Sequence, residues 1–274
     1  MKLRQLPARQ GALWVRQGFS IFFKHPLAFS ALLASFLFGV LFLATLPWLG
    51  PLLSLAALPL VTVGFMIATR EAVDKQTNST PMVFVQPLQA TAKNRRALMQ
   101  LGLIFAVCSL LIMALAGWVD GGTFTKLQTM MMDDKATPEE LRALLDDPRL
   151  TWGMAIRFGL AGLLSVPFWH APALTHWAQQ SWGKALFSSW MACWRNKGAF
   201  LVYGLTWTAV VVLFAVVSSV VLLAIGQPRW VALISLPAVL MFSTVFYASL
   251  YFTYADCFSD GSTAASPQLE SPHA

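Results

Sequence analysis

The chain has 274 residues, of which 57% are hydrophobic and only 11% charged, against the roughly 25% charged residues of a soluble globular domain. That balance excludes a water-soluble fold of this size, and the expected partners are membrane lipids, not nucleic acid. The formal net charge of +7 comes from 19 Lys and Arg against 12 Asp and Glu, and their placement carries more information than their sum.

The chain opens with a basic, aromatic segment in which Trp14, Phe19, Phe22 and Phe23 interleave with Arg16, Gln17 and Lys24. This start resembles a signal peptide. The apolar stretch begins only at residue 27, however, is about twenty residues long, and lacks a small-x-small cleavage site, so it reads as a retained signal anchor. The first span runs from 27 to 47 and the second from 51 to 69, separated by Pro47-Trp48-Leu49-Gly50-Pro51, which demands a tight hairpin. After it, Asn78-Ser79-Thr80 fits a glycosylation acceptor, but this segment is expected in the cytoplasm, and the match is taken as chance.

A second basic cluster, Lys93, Arg95 and Arg96, leads into a third span at 97–119. The loop from Asp120 to Thr151 then carries seven acids against four bases and is the one extensive soluble element. Within it, Thr137-Pro138-Glu139-Glu140 is a capping box with Pro at the first helical position, so a short helix should begin there and stop near Asp147-Pro148. Met130-Met131-Met132 beside Asp133-Asp134 suggests soft-metal binding. Neighbours on a helix diverge by 100°, so the three thioethers cannot converge on one ion, and apolar packing on the bilayer surface is the expectation.

The fourth span, 152–174, contains Arg157, the one charge within a span. It sits five residues from Trp152, about 7.5 Å along a helix, close enough to snorkel outward. The other reading is an anion or lipid-headgroup contact. His170 and His176 flank Pro172 but lack a third ligand, so no metal site is assigned.

The third lead-in is the clearest. Trp182, Leu186, Trp190 and Trp194 recur at intervals of four and draw one stripe down a helix, interleaved with Lys184 and Arg195, as an interfacial helix requires. Phe23-Lys24-His25-Pro26-Leu27-Ala28-Phe29 aligns with Trp194-Arg195-Asn196-Lys197-Gly198-Ala199-Phe200, and more loosely with Ala92-Lys93-Asn94-Arg95-Arg96-Ala97-Leu98. The last spans, 198–225 and 230–255, are joined by Gly226-Gln227-Pro228-Arg229. Asp256 at their exit is expected either to pair with a base such as Lys24 or Arg195 or to be solvated. Cys108, Cys193 and Cys257 imply no disulfide.

The fold class is therefore all-α: a polytopic membrane protein of six transmembrane helices, as three parallel repeats of an amphipathic interfacial helix plus a transmembrane hairpin. It forms a single domain over 1–258, with a disordered tail at 259–274. Each span covers a ~30 Å hydrocarbon layer at 1.5 Å per residue. Six crossings return both termini to one side. That side holds thirteen Lys and Arg and the other five, with Arg157 just inside the membrane, so the termini are expected in the cytoplasm.

Gly11-x-x-Trp14, the Phe22-Phe23-Lys24-His25-Pro26 lead-in and the Thr69-Arg70-Glu71-Ala72-Val73-Asp74 exit, together with the third lead-in, resemble an uncharacterised betaproteobacterial family of six-helix inner-membrane proteins. The resemblance covers nearly the whole chain except the acidic loop and tail. It implies an integral inner-membrane location in a Gram-negative bacterium and carries no catalytic residues across.

Nucleotide-binding loops, a metalloprotease His pair and a nucleophile elbow are missing from the sequence, and no cofactor is expected. The expected function is a non-enzymatic envelope scaffold that engages anionic phospholipid. Its candidate lipid or anion contacts are Lys24, Lys93, Arg95, Arg96, Arg195, Lys197 and Arg157. The interfacial anchors would be Trp14, Phe19, Phe22, Phe23, Trp182, Trp190 and Trp194. The alternative is a transporter or lipid-translocating protein with a path between the hairpins. Small residues such as Ala31, Ala34, Ser35 and Gly39, or Gly159 and Gly162, would let helices approach closely within the bundle or between copies.

Overall fold

The computed structural model describes residues 2–47, 49–75, 79–131, 137–226 and 230–259. Asn78, Met132 and the tail beyond Ser259 lie outside the described residues. In chain order the helices are α1 (Gln10–Lys24), α2 (Pro26–Ala44), α3 (Leu49–Lys75), α4 (Ala92–Val119), α5 (Thr123–Met131), α6 (Pro138–Leu145), α7 (Pro148–Phe168), α8 (Ala171–Trp177), α9 (Trp182–Arg195), α10 (Lys197–Ala224) and α11 (Val231–Cys257). Six described helical stretches are long and apolar enough to cross a membrane: Pro26–Ala44, Leu49–Asp74, Ala92–Val119, Pro148–Trp177, Lys197–Ala224 and Leu233–Cys257.

Local chemistry accounts for the helix starts. Pro26 opens α2, where a missing N–H is harmless. Thr137 and Glu140 form the expected capping box at α6, and Asp147 caps α7 by accepting from Arg149 N–H at 2.8 Å. Pro59, Pro167 and Pro237 lie inside spans, where neighbouring helices tolerate them.

Lys2–Leu3 (β1) pairs antiparallel with Phe258–Ser259 (β2), so the first and last described segments meet at one end of the bundle. Asn196 ties this junction: its Oδ1 accepts from Leu6 N–H at 2.9 Å and its Nδ2 donates to the Arg4 carbonyl at 3.0 Å. We call this the terminal end. Helices α5 and α6 connect the opposite ends of α4 and α7. The core is richest toward the terminal end, around Trp14, Leu174, Tyr203 and Tyr254, with a second cluster around Phe29, Val63 and Phe65. The far half of α10 instead leaves Val211, Leu213, Val216 and Val220 exposed, as a lipid-facing helix does.

The first lead-in departs from expectation. Helix α1 does not leave its aromatic face open to lipid but is wedged between α10 and α11. Trp14 is fully buried and Phe22 nearly so. The Trp14 ring lies 5.3 Å from Phe200 and 6.0 Å from Tyr203, and Phe19 lies 5.7 Å from Trp207 and 6.2 Å from Phe242. Trp14, Phe19 and Phe22 are therefore bundle contacts and not lipid anchors; of that set only Phe23 is exposed. The reason is Gly11 and Gly18. Neither has a Cβ, so Ala199 and Tyr203 of α10 can close on the first, and Val245 and Ser249 of α11 on the second.

The second lead-in also differs. It is two short 3-10 turns, Pro81–Phe84 and Gln86–Leu88, and not an amphipathic α-helix. Phe84 seats over Gly64 of α3. The first and third lead-ins share one device: a single non-helical residue, His25 or Asn196, both ends the lead-in helix and precedes the span. The middle one lacks it, because Asn94 lies inside α4.

Substituting Gly11→Leu should lower the thermal unfolding midpoint in detergent, by overpacking worth about 1–3 kcal/mol or more. Gly39→Leu, whose Cβ would meet nothing within 4 Å, should leave the midpoint unchanged.

Candidate functional site

Helix α9 presents two unlike faces. Its small residues Ala185, Ser189, Ala192 and Cys193 are buried against the bundle. Ser189 inserts its hydroxyl into the break between α7 and α8, accepting from His170 N–H at 2.9 Å and donating to the Val166 carbonyl at 3.2 Å. One hydroxyl thus satisfies both backbone groups that an unbroken helix would have paired. On the outward face, Trp182, Trp190 and Trp194 are 41%, 41% and 62% exposed. Trp190 and Trp194 stack at 6.4 Å, and the Lys197 ammonium lies 5.6 Å from the Trp194 ring. Arg195 is exposed at the same helix end.

The start of α4 supplies the second wall. Thr91 caps it by accepting from Asn94 N–H at 3.4 Å, and Ala97, Leu98, Leu101 and Gly102 pack inward. This leaves Lys93, Arg95 and Arg96 exposed. The ion pairs among the described residues are Arg70–Asp74 and Arg157–Asp120, so among the described residues no carboxylate forms an ion pair with these three bases. Between the starts of α4 and α9 lies a groove of about 380 Å³, lined by Lys93, Arg96, Gln100, Gln180, Ser181 and Trp182. The structure thus brings the second basic cluster against the head of the third lead-in. Lys24 is exposed at the end of α1.

The sequence is 32% identical over 259 residues to a protein of Burkholderia thailandensis named as a probable inner membrane protein, covering 94% of each chain. The chain belongs to that inner-membrane protein family. No protein-family profile matches it, and no solved structure does. It is accordingly an inner-membrane protein with six membrane-crossing helices.

Arg157 of this inner-membrane protein is not a free anion site. Its Nη1 lies 2.6 Å from Asp120 Oδ2, its guanidinium lies 4.2 Å over the Phe124 ring, and Asp120 is fully buried. Asp120 opens the acidic loop in sequence; in space it turns back over Gly153 to face the base. Asp256 likewise takes neither expected role. It accepts from Gln10 Nε2 at 2.6 Å and from the Trp14 indole N–H at 2.7 Å. His170 is buried and bonds Thr253 at 3.2 Å.

Gln180, Ser181 and Gln100 complete the groove, and only one signal for them was readable along the chain. Lys93, Arg96 and Gln100 follow at i, i+3 and i+7, one face of a helix. That the head of α9 would sit beside them is a tertiary fact.

Two outcomes test this geometry. Asp120→Asn should destabilise the protein by about 3–5 kcal/mol because it strands a partly buried guanidinium, and Asp120→Asn with Arg157→Gln should recover part of the loss. Denaturation of wild type and the two variants in detergent measures both. Burial pushes the Cys193 thiol up to about 12, so it stays protonated at neutral pH. Maleimide should label Cys193 only after unfolding, as followed by mass spectrometry of the peptide.

Proposed function

We propose that the protein is a non-enzymatic scaffold of the inner membrane that grips anionic phospholipid from the cytoplasmic side. Both termini and the lead-in segments lie in the cytoplasm, and α5 and α6 lie in the periplasm. The observation that carries this reading is the terminal end itself. Lys93, Arg95 and Arg96, with no acid among the described residues paired to them, share this end with a helix that turns three tryptophans outward. Indole rings favour the headgroup boundary, and each base near an anionic surface contributes about 1 kcal/mol. Retention of Lys and Arg in the cytoplasm sets the orientation.

The transporter alternative has less support. Between α3, α4, α7 and α11 lies a cavity of about 180 Å³ with Pro59, Phe105, Phe168, Trp169 and Tyr247 in its wall and no charged residue. Its aliphatic hydroxyls, Thr62 and Ser165, bond carbonyls of their own helices at 2.9 and 2.7 Å. Arg157, which the sequence places inside the fourth span, is bound to Asp120.

The protein extracted in mild detergent should carry anionic phospholipid above its share of the membrane. Replacing Lys24, Arg95, Arg195 and Lys197 together by Gln should bring the co-purifying lipid back toward that share. Wild-type protein carrying lipid at the bulk ratio would sink the reading. A reporter placed after Ala136 must be active in the periplasm, and one at the C-terminus in the cytoplasm.

A further inference from the structure

The α4–α9 groove differs in kind from a diffuse belt of positive charge. Its polar lining offers hydrogen-bond donors from both walls. Lys93 and Arg96 are acceptor-free cations on one wall. On the other, the Oε1 of Gln180 already accepts from the Ser188 hydroxyl at 3.1 Å, which leaves the Gln180 Nε2 to donate. Ser181 makes no capping bond to α9. Among the described residues no Asp or Glu lines the groove. Such a lining suits phosphate oxygens, for which a guanidinium fork and a lysine ammonium are the favoured partners.

A second depression, of about 280 Å³, shares Ala92, Arg96 and Gln100 with the first and continues along α4 to Arg95, Met99 and Leu103. Beyond it Val107 and Leu111 extend the same line at intervals of four residues. Met99, Leu103, Val107 and Leu111 are all exposed, at 63%, 53%, 44% and 64%. A donor-lined socket therefore opens onto an uncovered apolar track that runs down a membrane-crossing helix. A soluble anion would use the first part alone; a phospholipid uses both.

We propose that this groove is a discrete site for one anionic phospholipid. Lys93 and Arg96 hold its phosphate, Gln180 and Ser181 contact the headgroup, Trp182 lies beside them, and one acyl chain follows Met99, Leu103 and Val107. The inference rests on the reading that the terminal end meets anionic lipid, and it names the place and the ligand class.

Native mass spectrometry of the full chain in detergent, titrated with phosphatidylglycerol or phosphatidylcholine, tests it. Wild type should take up one phosphatidylglycerol well before any second, at least tenfold more tightly than phosphatidylcholine. Lys93→Gln with Arg96→Gln should weaken that first event tenfold or more, while Lys93→Arg with Arg96→Lys should retain most of it. Arg9→Gln with Arg16→Gln removes the same charge from exposed positions on and just before α1 and should change it less than twofold. Leu103→Gln should weaken phosphatidylglycerol binding severalfold, and millimolar inorganic phosphate should not compete. Equal losses in the two Gln pairs would overturn the groove and leave the general lipid reading standing. Competition by inorganic phosphate would overturn the lipid as its ligand. No preference for phosphatidylglycerol in wild type would overturn both readings.

Discussion

The bundle depends on one helix packed far from its neighbours in sequence. Helix α1 fills the space between α10 and α11, with Trp14 donating to Asp256 across a separation of 242 residues. Apolar burial drives helix association weakly in a membrane, because lipid tails are as apolar as side chains. Close backbone approach and directed hydrogen bonds must do it. Gly11 and Gly18 permit the first, and the indole N–H, the Gln10 amide and the Tyr203–Ser249 hydroxyl pair at 2.7 Å supply the second. The β1–β2 pairing and the Asn196 bonds then close the chain on itself.

The other lead-in segments follow related packing with different means. Helix α9 lies against α7 and α8, the part of the chain before it, and the 3-10 turns at 81–88 lie over α3. Helix α1 rests on the last hairpin, α10 and α11. Each lead-in thus rests on a hairpin other than the one it introduces, which links the hairpins around the terminal end. Only α9 keeps its aromatic face free, and its freedom leaves a basic and aromatic surface where the chain ends meet.

Charge within this fold is used in two opposite ways. Arg157 and Asp120 neutralise each other at the loop end, with a phenyl ring over the guanidinium, so that pair serves the structure. Lys93 and Arg96 stand beside amides and a hydroxyl with no carboxylate among the described lining residues, the setting on which the proposed lipid site rests. The same residue types therefore point to different roles, and the difference lies in what tertiary packing sets next to them.

Hydropathy by itself determined the six membrane-crossing helices, and the Thr137-Pro138-Glu139-Glu140 motif determined the α6 capping box, because each follows from residues adjacent along the chain. The aromatic stripes of α1 and α9 read alike for a physical reason: a pattern of apolar residues specifies a face that avoids water, and both lipid and protein satisfy it. Only the tertiary structure decided that Trp14 is buried and Trp194 is not, through the glycines that let α10 and α11 close on α1. It also decided the partners of Arg157 and Asp256 and the meeting of Lys93 with Gln180. Those pairs join groups 37, 242 and 87 positions apart, and chain separation carries no information about distance once helices pack side by side.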